Sequence, residues 1–361
     1  MRVLFLTIDD ASRASSRVRV YNYLPLLKER NVDYKVLAWN AKFRERPYLV
    51  PENSWQKLLN FLVLELINYF VMTAGIAYTL LTVNRYDVIF VQKLKLRRIS
   101  LWLSLNRKRI IYDMVDAPYA SHSMEQEEYT GPTKDVLAML QLSDRVIVEN
   151  SLNEQFAKKY ASEVCTILGP VNTERYQPAN GSKDDGMITI GWIGSNDNTY
   201  YLQPVKPILE KLCQKYPKLE VKLIGTSKFQ TAEPKIRLID WSRDSELAEL
   251  SSFNIGIMPL TDDLWAQSKG GYKLLQYMAL GIPSVASPVG VNEGLLNRDG
   301  AGLAARSMKE WEEKLIYLIE HPQARMAIGQ QARQMAEQKY SLTKSFDRFY
   351  NVIQNQYRNS K

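Results

Sequence analysis

The chain is poor in cysteine, which disfavours disulfide-rich proteins and proteins with cysteine-ligated metals. Its 361 residues include two cysteines, Cys165 and Cys213. Two cysteines provide neither a disulfide framework nor a metal-ligand cluster. The N-terminus enters an apolar strand pattern directly, without the charged, apolar and small-residue order of a secretory signal. We therefore predict a reducing, cytoplasmic compartment.

Two further patterns are missing. The first predicted βα turn, Asp9–Ser16, lacks the Gly-x-Gly-x-x-Gly spacing of a dinucleotide site, which disfavours a dehydrogenase. The most apolar stretch, 55–83, is interrupted by Glu65 and Asn68, whereas a spanning helix needs about 20 predominantly apolar residues. This stretch favours a core helix with an apolar flank that could touch a bilayer surface, over a transmembrane helix.

The charge balance favours anionic partners. Lysine and arginine number 47 against 39 acidic residues, a formal charge of +8. The densest basic cluster, 93–98 with 107–109, has no interleaved aromatic platform, so we predict no nucleic-acid partner. Two interpretations of this cluster stand: peripheral contact with an acidic membrane, at the inner face, or a solvated basic surface.

Buried-strand patterns occur in two series, which predict an α/β fold with two parallel sheets. The first half holds strands at Arg2–Ile8, Val32–Leu37, Val88–Gln92, Ile110–Tyr112 and Val146–Val148. The second half holds strands at Met187–Ile193, Leu219–Ile224, Ile236–Ile239, Ile255–Met258 and Pro283–Ala286. Both halves are predicted to be Rossmann-like, with ligands at the carboxyl ends of the strands.

Domain boundaries follow from composition. Residues from Tyr176 to Gly186 are rich in turn-forming types and lack an apolar period, which is typical of a linker. We predict an N-terminal, acceptor-binding domain over 1–170 and a linker over 171–186. A nucleotide-sugar-binding domain over 187–340 and a C-terminal helix over 341–361, packing back on the N-terminal domain, complete the prediction.

Residues 268–287 have the pattern of a glycine turn, a helix and a buried strand in succession. Gly270 and Gly271 allow a tight turn with accessible amides, and the positive end of the following helix dipole favours an anion. Lys269 and Lys273 flank that end with positive charge. The pattern predicts a phosphate-binding site.

Four segments of the second half carry a family resemblance. They are Gly191–Ser195, Ile239–Ser242 with its Trp241, Asn254–Leu260 and Lys269–Pro283. Together they resemble the GT-B glycosyltransferases, in particular the large retaining family numbered four, over nearly the whole chain. The resemblance implies two Rossmann-like domains facing each other across a cleft, a C-terminal helix returning to the N-terminal domain, and a nucleoside-diphosphate-sugar donor with no cofactor.

The chain departs from the family at two acidic positions. In the family a Glu-x7-Glu pattern contacts the donor sugar with its first acid and the ribose with its second. Ser268 and Gln276 stand at these positions. A glutamine can still accept a ribose hydrogen bond, whereas serine cannot mimic a carboxylate, so Asp262, Asp263 and Trp265 are candidates for the sugar contact. The predicted donor-binding residues are Gly194, Ser195, Ile239, Trp241, Trp265, Ser268, Gly270, Gly271, Tyr272 and Gln276.

A retaining enzyme must stabilise a diphosphate leaving group. Relatives use an arginine and a lysine after the first strand of the second half, but the loop 195–201 has neither. We therefore assign Lys269 and Lys273 as catalytic residues that neutralise the diphosphate, and we predict no bound metal.

On the acceptor side, Asp113 and Asp116 fall at a predicted strand end. Asp116 is predicted to be catalytic, orienting the acceptor hydroxyl; loop capping is the alternative role for both. Arg13 and Arg17 in the first βα turn, with Asp113 and His122, are predicted to bind the acceptor.

The sequence thus predicts sugar transfer, with retention, from a nucleotide sugar to a saccharide or lipid-linked acceptor, as in surface-polysaccharide synthesis. A sugar-nucleotide epimerase of the same fold and a non-catalytic nucleotide-sugar-binding protein stand as alternatives. The nucleotide base, the sugar, the acceptor and the oligomeric state do not follow from the sequence.

Overall fold

The computed structural model describes residues 1–40, 73–94, 109–122, 127–128, 131–178 and 186–358, with residues 55, 63, 66 and 70 besides. The chain forms two compact units. The first comprises Met1–Tyr119, Thr130–Ile167 and Phe346–Lys361, and the second comprises Ala120–Tyr129 and Leu168–Ser345. Residues 179–185 of the predicted linker lie outside the described residues, and its earlier part, 171–178, belongs to the second unit.

The first unit contains a parallel six-stranded sheet of order β2-β1-β3-β4-β7-β8. Its strands are β1 (Arg2–Asp9), β2 (Asp33–Asn40), β3 (Val88–Gln92), β4 (Arg109–Asp113), β7 (Arg145–Val148) and β8 (Val164–Thr166). A separate antiparallel pair joins β5 (Ser121–His122) to β6 (Glu127–Glu128) and is assigned to the second unit. The five predicted strands of the six-stranded sheet are confirmed; its strand β8 and the short strands β5 and β6 were not predicted.

Helices cover the edges and faces of this unit. They span Ala14–Arg19, Leu24–Glu29, residues 73–82, Lys134–Leu142 and Ser151–Ala157. The amphipathic segment Val18–Arg30 is divided between two short helices, which are joined by the 3-10 turn Tyr21–Tyr23. Pro25, in the first turn of the second helix, has no backbone N–H to continue a longer helix.

The second unit contains another parallel six-stranded sheet, of order β11-β10-β9-β12-β13-β14. Its strands are β9 (Ile188–Ile193), β10 (Leu219–Ile224), β11 (Ile236–Ile239), β12 (Ile255–Met258), β13 (Ser284–Ala286) and β14 (Gly302–Ala304). Its helices span Lys206–Lys215, Glu246–Ser251, Leu264–Gln267, Tyr272–Ala279, Val291–Asn297, Met308–Glu320 and Pro322–Met335. All five predicted strands are confirmed, and β14 was missed.

The last helix, Leu342–Arg358, begins in the second unit and from Phe346 onward belongs to the first. Within the first unit the ring of Phe349 lies 4.3 Å from that of Tyr23 and 5.3 Å from that of Phe90. These rings are buried among the sheet residues, so burial of aromatic surface stabilises the return of the chain. The predicted return of the C-terminal helix is therefore observed.

Two predicted surface features fall largely outside the described residues. They include most of residues 55–72 of the apolar stretch and the basic residues Lys95, Arg97, Arg98, Arg107 and Lys108. Within the described part, no helix combines the length and the apolar character needed to cross a membrane. Peripheral membrane contact stays a prediction.

Candidate functional site

Most of the predicted donor-binding residues outside 265–276 lie at the carboxyl edge of the second sheet. Gly194 and Ser195 follow β9 directly, Ile239 ends β11, and Trp241 comes two residues later. A Cβ on Gly194 would stand 2.4 Å from the Trp192 indole, so only glycine fits there. Ser195 is exposed beside it and accepts a hydrogen bond from Asn198. The loop thus leaves backbone open to solvent at the edge where α/β folds bind ligands.

The glycine turn precedes the helix Tyr272–Ala279 as predicted. Gly271 is its N-cap, with a φ of 65° in the left-handed region. A side chain there would contact Leu295 at 3.0 Å and Asn292 at 3.2 Å. No side chain caps this helix end, so the positive end of its dipole faces whatever occupies the turn.

Gly271→Ala tests this turn. The left-handed backbone and the close contacts are expected to lower the free energy of unfolding by about 1–2 kcal/mol. Gly294→Ala is the matched control, because Gly294 lies inside the helix Val291–Asn297 and its nearest neighbour would stand 3.4 Å away. This control should leave stability unchanged or raise it by about 0.5–1 kcal/mol. Denaturant unfolding measures the free energy of unfolding of both variants. Equal values for Gly271→Ala and Gly294→Ala would contradict a strained backbone at position 271.

The two predicted catalytic lysines lie over aromatic rings. The Nζ of Lys269 is 5.3 Å from the Trp265 ring and 5.7 Å from that of Tyr201. The Nζ of Lys273 is 5.4 Å from the Trp192 ring. Ring faces attract ammonium groups without neutralising them.

The surroundings of Lys273 disfavour its charged form. Burial, followed by repulsion from Lys269, lowers the pKa of Lys273 to about 7. Within the described part of the chain, no carboxylate lies within ion-pair distance of its Nζ. An anion bound between the two lysines would relieve both the burial cost and the repulsion.

The polar residues at and near position 268, where the family has its first acid, form hydrogen bonds within the protein. Ser268 is buried, and its hydroxyl donates to the carbonyl of Trp265 at 2.7 Å. Asp263 caps the helix Leu264–Gln267 by accepting from the Ala266 amide at 2.7 Å. Asp262 accepts from the side chain of Gln267. Trp265 and Tyr272 are partly exposed beside them, so their donor contacts stay predictions.

A buried hydrogen-bond network links the predicted ribose and base positions. Gln276 donates from Nε2 to the hydroxyl of Tyr176 at 3.2 Å, and that hydroxyl donates to Glu246. The indole Nε1–H of Trp241 donates to the other carboxylate oxygen of Glu246 at 2.7 Å. Trp241 is 38% exposed, so its ring is available to a ligand while its nitrogen is fixed. Ile239 is partly buried against the same core.

Sequence reasoning missed Tyr176 and Glu246. Tyr176 was placed at the start of the predicted linker, but its ring is buried in the second unit. Glu246 begins a short helix after a polar turn, where a glutamate is ordinarily solvated. Nothing in the spacing of the two residues signals their contact.

The predicted acceptor residues divide into buried and exposed groups. Asp113 is fully buried in a bidentate pair with Arg19, whose Nη1 also donates to the Ile167 carbonyl at 2.6 Å. Arg17 is buried and donates to the carbonyls of Ala11 and Ser12, which holds the first βα turn. The side chains of Asp113 and Arg17 are therefore engaged within the protein, and their binding of an acceptor stays a prediction.

Two further acceptor residues lie at the surface or in β5. Arg13 is exposed at the N-cap of the helix Ala14–Arg19. His122 lies in β5, and its side chain is outside the described part.

Asp116 is the predicted catalytic residue that stays accessible. Its Oδ2 lies 2.8 Å from the Nζ of Lys93, and its side chain is 27% exposed. Of the three non-glycine residues with positive φ in the described part, two are this pair, at 62° for Lys93 and 59° for Asp116. Strained backbone that the surrounding structure holds in place is common at functional sites.

Glu149, directly after β7, adds an excess carboxylate to this edge. Its Oε1 lies 3.6 Å from Nη1 of Arg19. Burial, and to a smaller extent the neighbouring Asp116 and Asp113, raise the pKa of Glu149 to about 7, although Arg19 opposes this increase.

Among the residues that the structure describes, no cluster of histidine, cysteine and carboxylate suits a metal ion.

Known proteins resemble the chain in its fold and in its second unit. Residues 204–350 match the family described as glycosyl transferase-like. Solved structures match nearly the whole chain. Sucrose-phosphate synthase from Thermosynechococcus elongatus is 13% identical with a TM-score of 0.71, and the match covers 99% of this chain and 100% of the synthase. The fold is GT-B.

Two further structures agree with this fold. HepE from Anabaena, solved in complex with UDP-glucose, is 15% identical with a TM-score of 0.64, over 98% of this chain and 100% of HepE. A glycosyltransferase from Rickettsia africae is 11% identical with a TM-score of 0.69, over 99% of each chain. No curated protein matches the chain in sequence. The predicted GT-B fold is confirmed, and residues 204–350 are similar to the glycosyl transferase-like family.

Proposed function

We propose that the protein transfers a sugar, with retention, from a UDP-sugar to an acceptor hydroxyl. The observation that carries this proposal is the pair of lysines at the glycine turn, where Lys273 is partly buried and has no carboxylate partner in the described part of the chain. A diphosphate supplies the missing negative charge. The helix end behind Gly271 adds backbone amides to the same anion site.

Breaking the bond between the sugar and the diphosphate leaves negative charge on the departing oxygens. Lys269 and Lys273 stabilise that charge more strongly as it grows, which is the condition for faster reaction rather than tighter binding alone. The sugar carbon gains the acceptor oxygen on the face that the diphosphate leaves. The acceptor proton passes to a phosphate oxygen of the leaving group.

Retention without a covalent intermediate agrees with how three carboxylates of the second unit, Asp262, Asp263 and Glu246, are engaged. Asp262 and Asp263 accept hydrogen bonds at the helix Leu264–Gln267, and Glu246 is buried under Tyr176 and Trp241. A nucleophilic carboxylate must reach the sugar carbon, and these three are poorly placed to do so because they are already engaged in hydrogen bonds within the protein. This arrangement supports front-face displacement.

UDP is proposed as the nucleotide because HepE, which shares the fold, binds UDP and UDP-glucose. Trp241 offers the base a partly exposed ring, and Gln276 offers the ribose an amide oxygen. A saccharide or lipid-linked acceptor is proposed to bind in the first unit, where Asp116 and Lys93 hold strained conformations at the strand ends.

Release of UDP from UDP-sugars without added acceptor tests the proposed chemistry. A glycosyltransferase hydrolyses its donor slowly, so UDP should accumulate from one sugar of a panel. Proton NMR of the freed sugar should show the donor's anomeric configuration first. A binding protein would release no UDP, and an epimerase would change the sugar while it stays attached to UDP; either outcome would contradict the proposal.

UDP binding is also expected to take up a proton at Lys273. The free group has a pKa of about 7, lowered by burial and by Lys269, so it is largely neutral at about pH 8. A bound diphosphate raises that pKa, and uptake should rise from near zero at about pH 6 toward one proton at about pH 8. Titration calorimetry in buffers of different ionisation enthalpy measures it. Lys273→Met is the control, and equal uptake by both proteins at about pH 8 would contradict the assignment.

A further inference from the structure

The buried carboxylate of Glu246 accepts hydrogen bonds from two residues of the candidate nucleotide site, the buried Tyr176 and the partly exposed Trp241. One oxygen accepts from the hydroxyl of Tyr176, and the other accepts from the indole nitrogen of Trp241 at 2.7 Å. Glu246 is 3% exposed. A buried carboxylate is costly unless hydrogen-bond donors compensate it, so Tyr176 and Trp241 are held where they can donate.

The direction of donation fixes the amide of Gln276. Tyr176 has one hydroxyl proton, which it gives to Glu246, so its oxygen accepts the hydrogen bond from Nε2 of Gln276 at 3.2 Å. The amide therefore turns its nitrogen toward Tyr176. Its oxygen, Oε1, has no hydrogen-bond partner within the part of the chain that the structure describes.

The hydroxyl of Tyr176 stays protonated at physiological pH. Burial and the neighbouring Glu246 raise the pKa of Tyr176 to about 12. The order of donation, from Gln276 to Tyr176 to Glu246, is therefore retained over the working range of an enzyme.

We propose that Glu246 and Tyr176 are positioning residues for the nucleoside, holding the Trp241 ring for the base and turning the Gln276 oxygen to accept from a ribose hydroxyl. This inference rests on the proposed binding of UDP at the same site. It explains why an amide serves at position 276. A carboxylate there would face the lone pairs of the Tyr176 oxygen and add a second negative charge beside Glu246.

Discrimination between UDP and its deoxyribose analogues tests the inference. Of 2′-deoxy-UDP and 3′-deoxy-UDP, one lacks the hydroxyl that Gln276 contacts. The wild type should bind UDP about threefold to tenfold more tightly than that analogue, which corresponds to the loss of one hydrogen bond. Tyr176→Phe removes only the hydroxyl, so the Gln276 amide loses its anchor. The preference should then fall to less than about twofold, while binding of the deoxy analogue changes little.

Tyr216→Phe is the matched control, because Tyr216 also donates its hydroxyl to a glutamate of the same unit, Glu320, at the surface. It should keep the wild-type preference. A Tyr176→Phe protein that keeps that preference would overturn the inference, as would a Tyr216→Phe protein that loses it.

Gln276→Glu provides a second, independent variant. Although it restores the acid of the family pattern, it should weaken UDP binding by about threefold or more, for the repulsion given above. Tighter binding than the wild type would overturn the positioning role even if Tyr176→Phe failed to fold. A wild type that binds no UDP would refute the proposed function and the inference with it; a wild type that binds UDP without the expected variant effects would refute the inference alone.

Discussion

Lys269→Ala is expected to lower kcat by about 10²- to 10³-fold at saturating UDP-sugar. The Nζ of Lys269 lies 5.3 Å from the Trp265 ring and 5.7 Å from the Tyr201 ring, which hold it near the glycine turn. A preorganised cation stabilises the departing diphosphate more than the intact donor, so the loss appears in kcat and not only in KM. Steady-state turnover across donor concentrations measures it.

The structure offers a close control for this variant. Lys215 also lies over a ring, that of Tyr216 at 4.8 Å, but it is exposed and pairs with Glu320 on the surface. Lys215→Ala should keep the wild-type kcat. Near-normal turnover by Lys269→Ala at saturating donor would show that the diphosphate is neutralised elsewhere.

Arg19→Met is expected to destabilise the first unit by about 3–5 kcal/mol. Arg19 is 4% exposed, holds the fully buried Asp113 through two nitrogens and lies 3.6 Å from Glu149. Burial alone would lower the pKa of Arg19, but the two carboxylates raise it above its ordinary value. Removing this cation leaves two buried carboxylates without their partner.

Arg30→Met is the control, because Arg30 forms an exposed ion pair with Asp347 at 3.4 Å in the same unit. Its removal should cost no more than about 1 kcal/mol. Denaturant unfolding compares the two variants. The Arg19→Met deficit should be smaller at about pH 5.5 than at about pH 8, because Glu149, whose pKa burial already raises to about 7, is then protonated. Equal deficits in the two variants would show that the buried pair is not a structural centre.

The strands visible from sequence have a clear apolar pattern. All ten predicted strands exist: β3 and β12 are buried along their whole length and are almost entirely apolar, and β10 alternates between buried apolar and less buried charged residues. The missed strands β8 and β14 are three residues each and only partly buried, or exposed, so their sequences show no such pattern.

The candidate site was predictable only where the chain itself brings residues together. Lys269, Gly271, Lys273 and Gln276 lie within one turn and helix, so their proximity follows from spacing. Contacts across 94 residues, as between Arg19 and Asp113, or 70, as between Tyr176 and Glu246, depend on the tertiary fold. Local sequence carries no signal for them.

The most direct test is a thermal-shift series with uridine, UMP and UDP. A ligand that binds the native state raises the melting temperature in proportion to its occupancy and affinity. We expect the largest increase between UMP and UDP, because the second phosphate is the group proposed to contact Lys269, Lys273 and the amides behind Gly271. In Lys269→Ala this increase should disappear. Equal shifts for the three ligands, or none with UDP, would contradict a diphosphate site at the glycine turn.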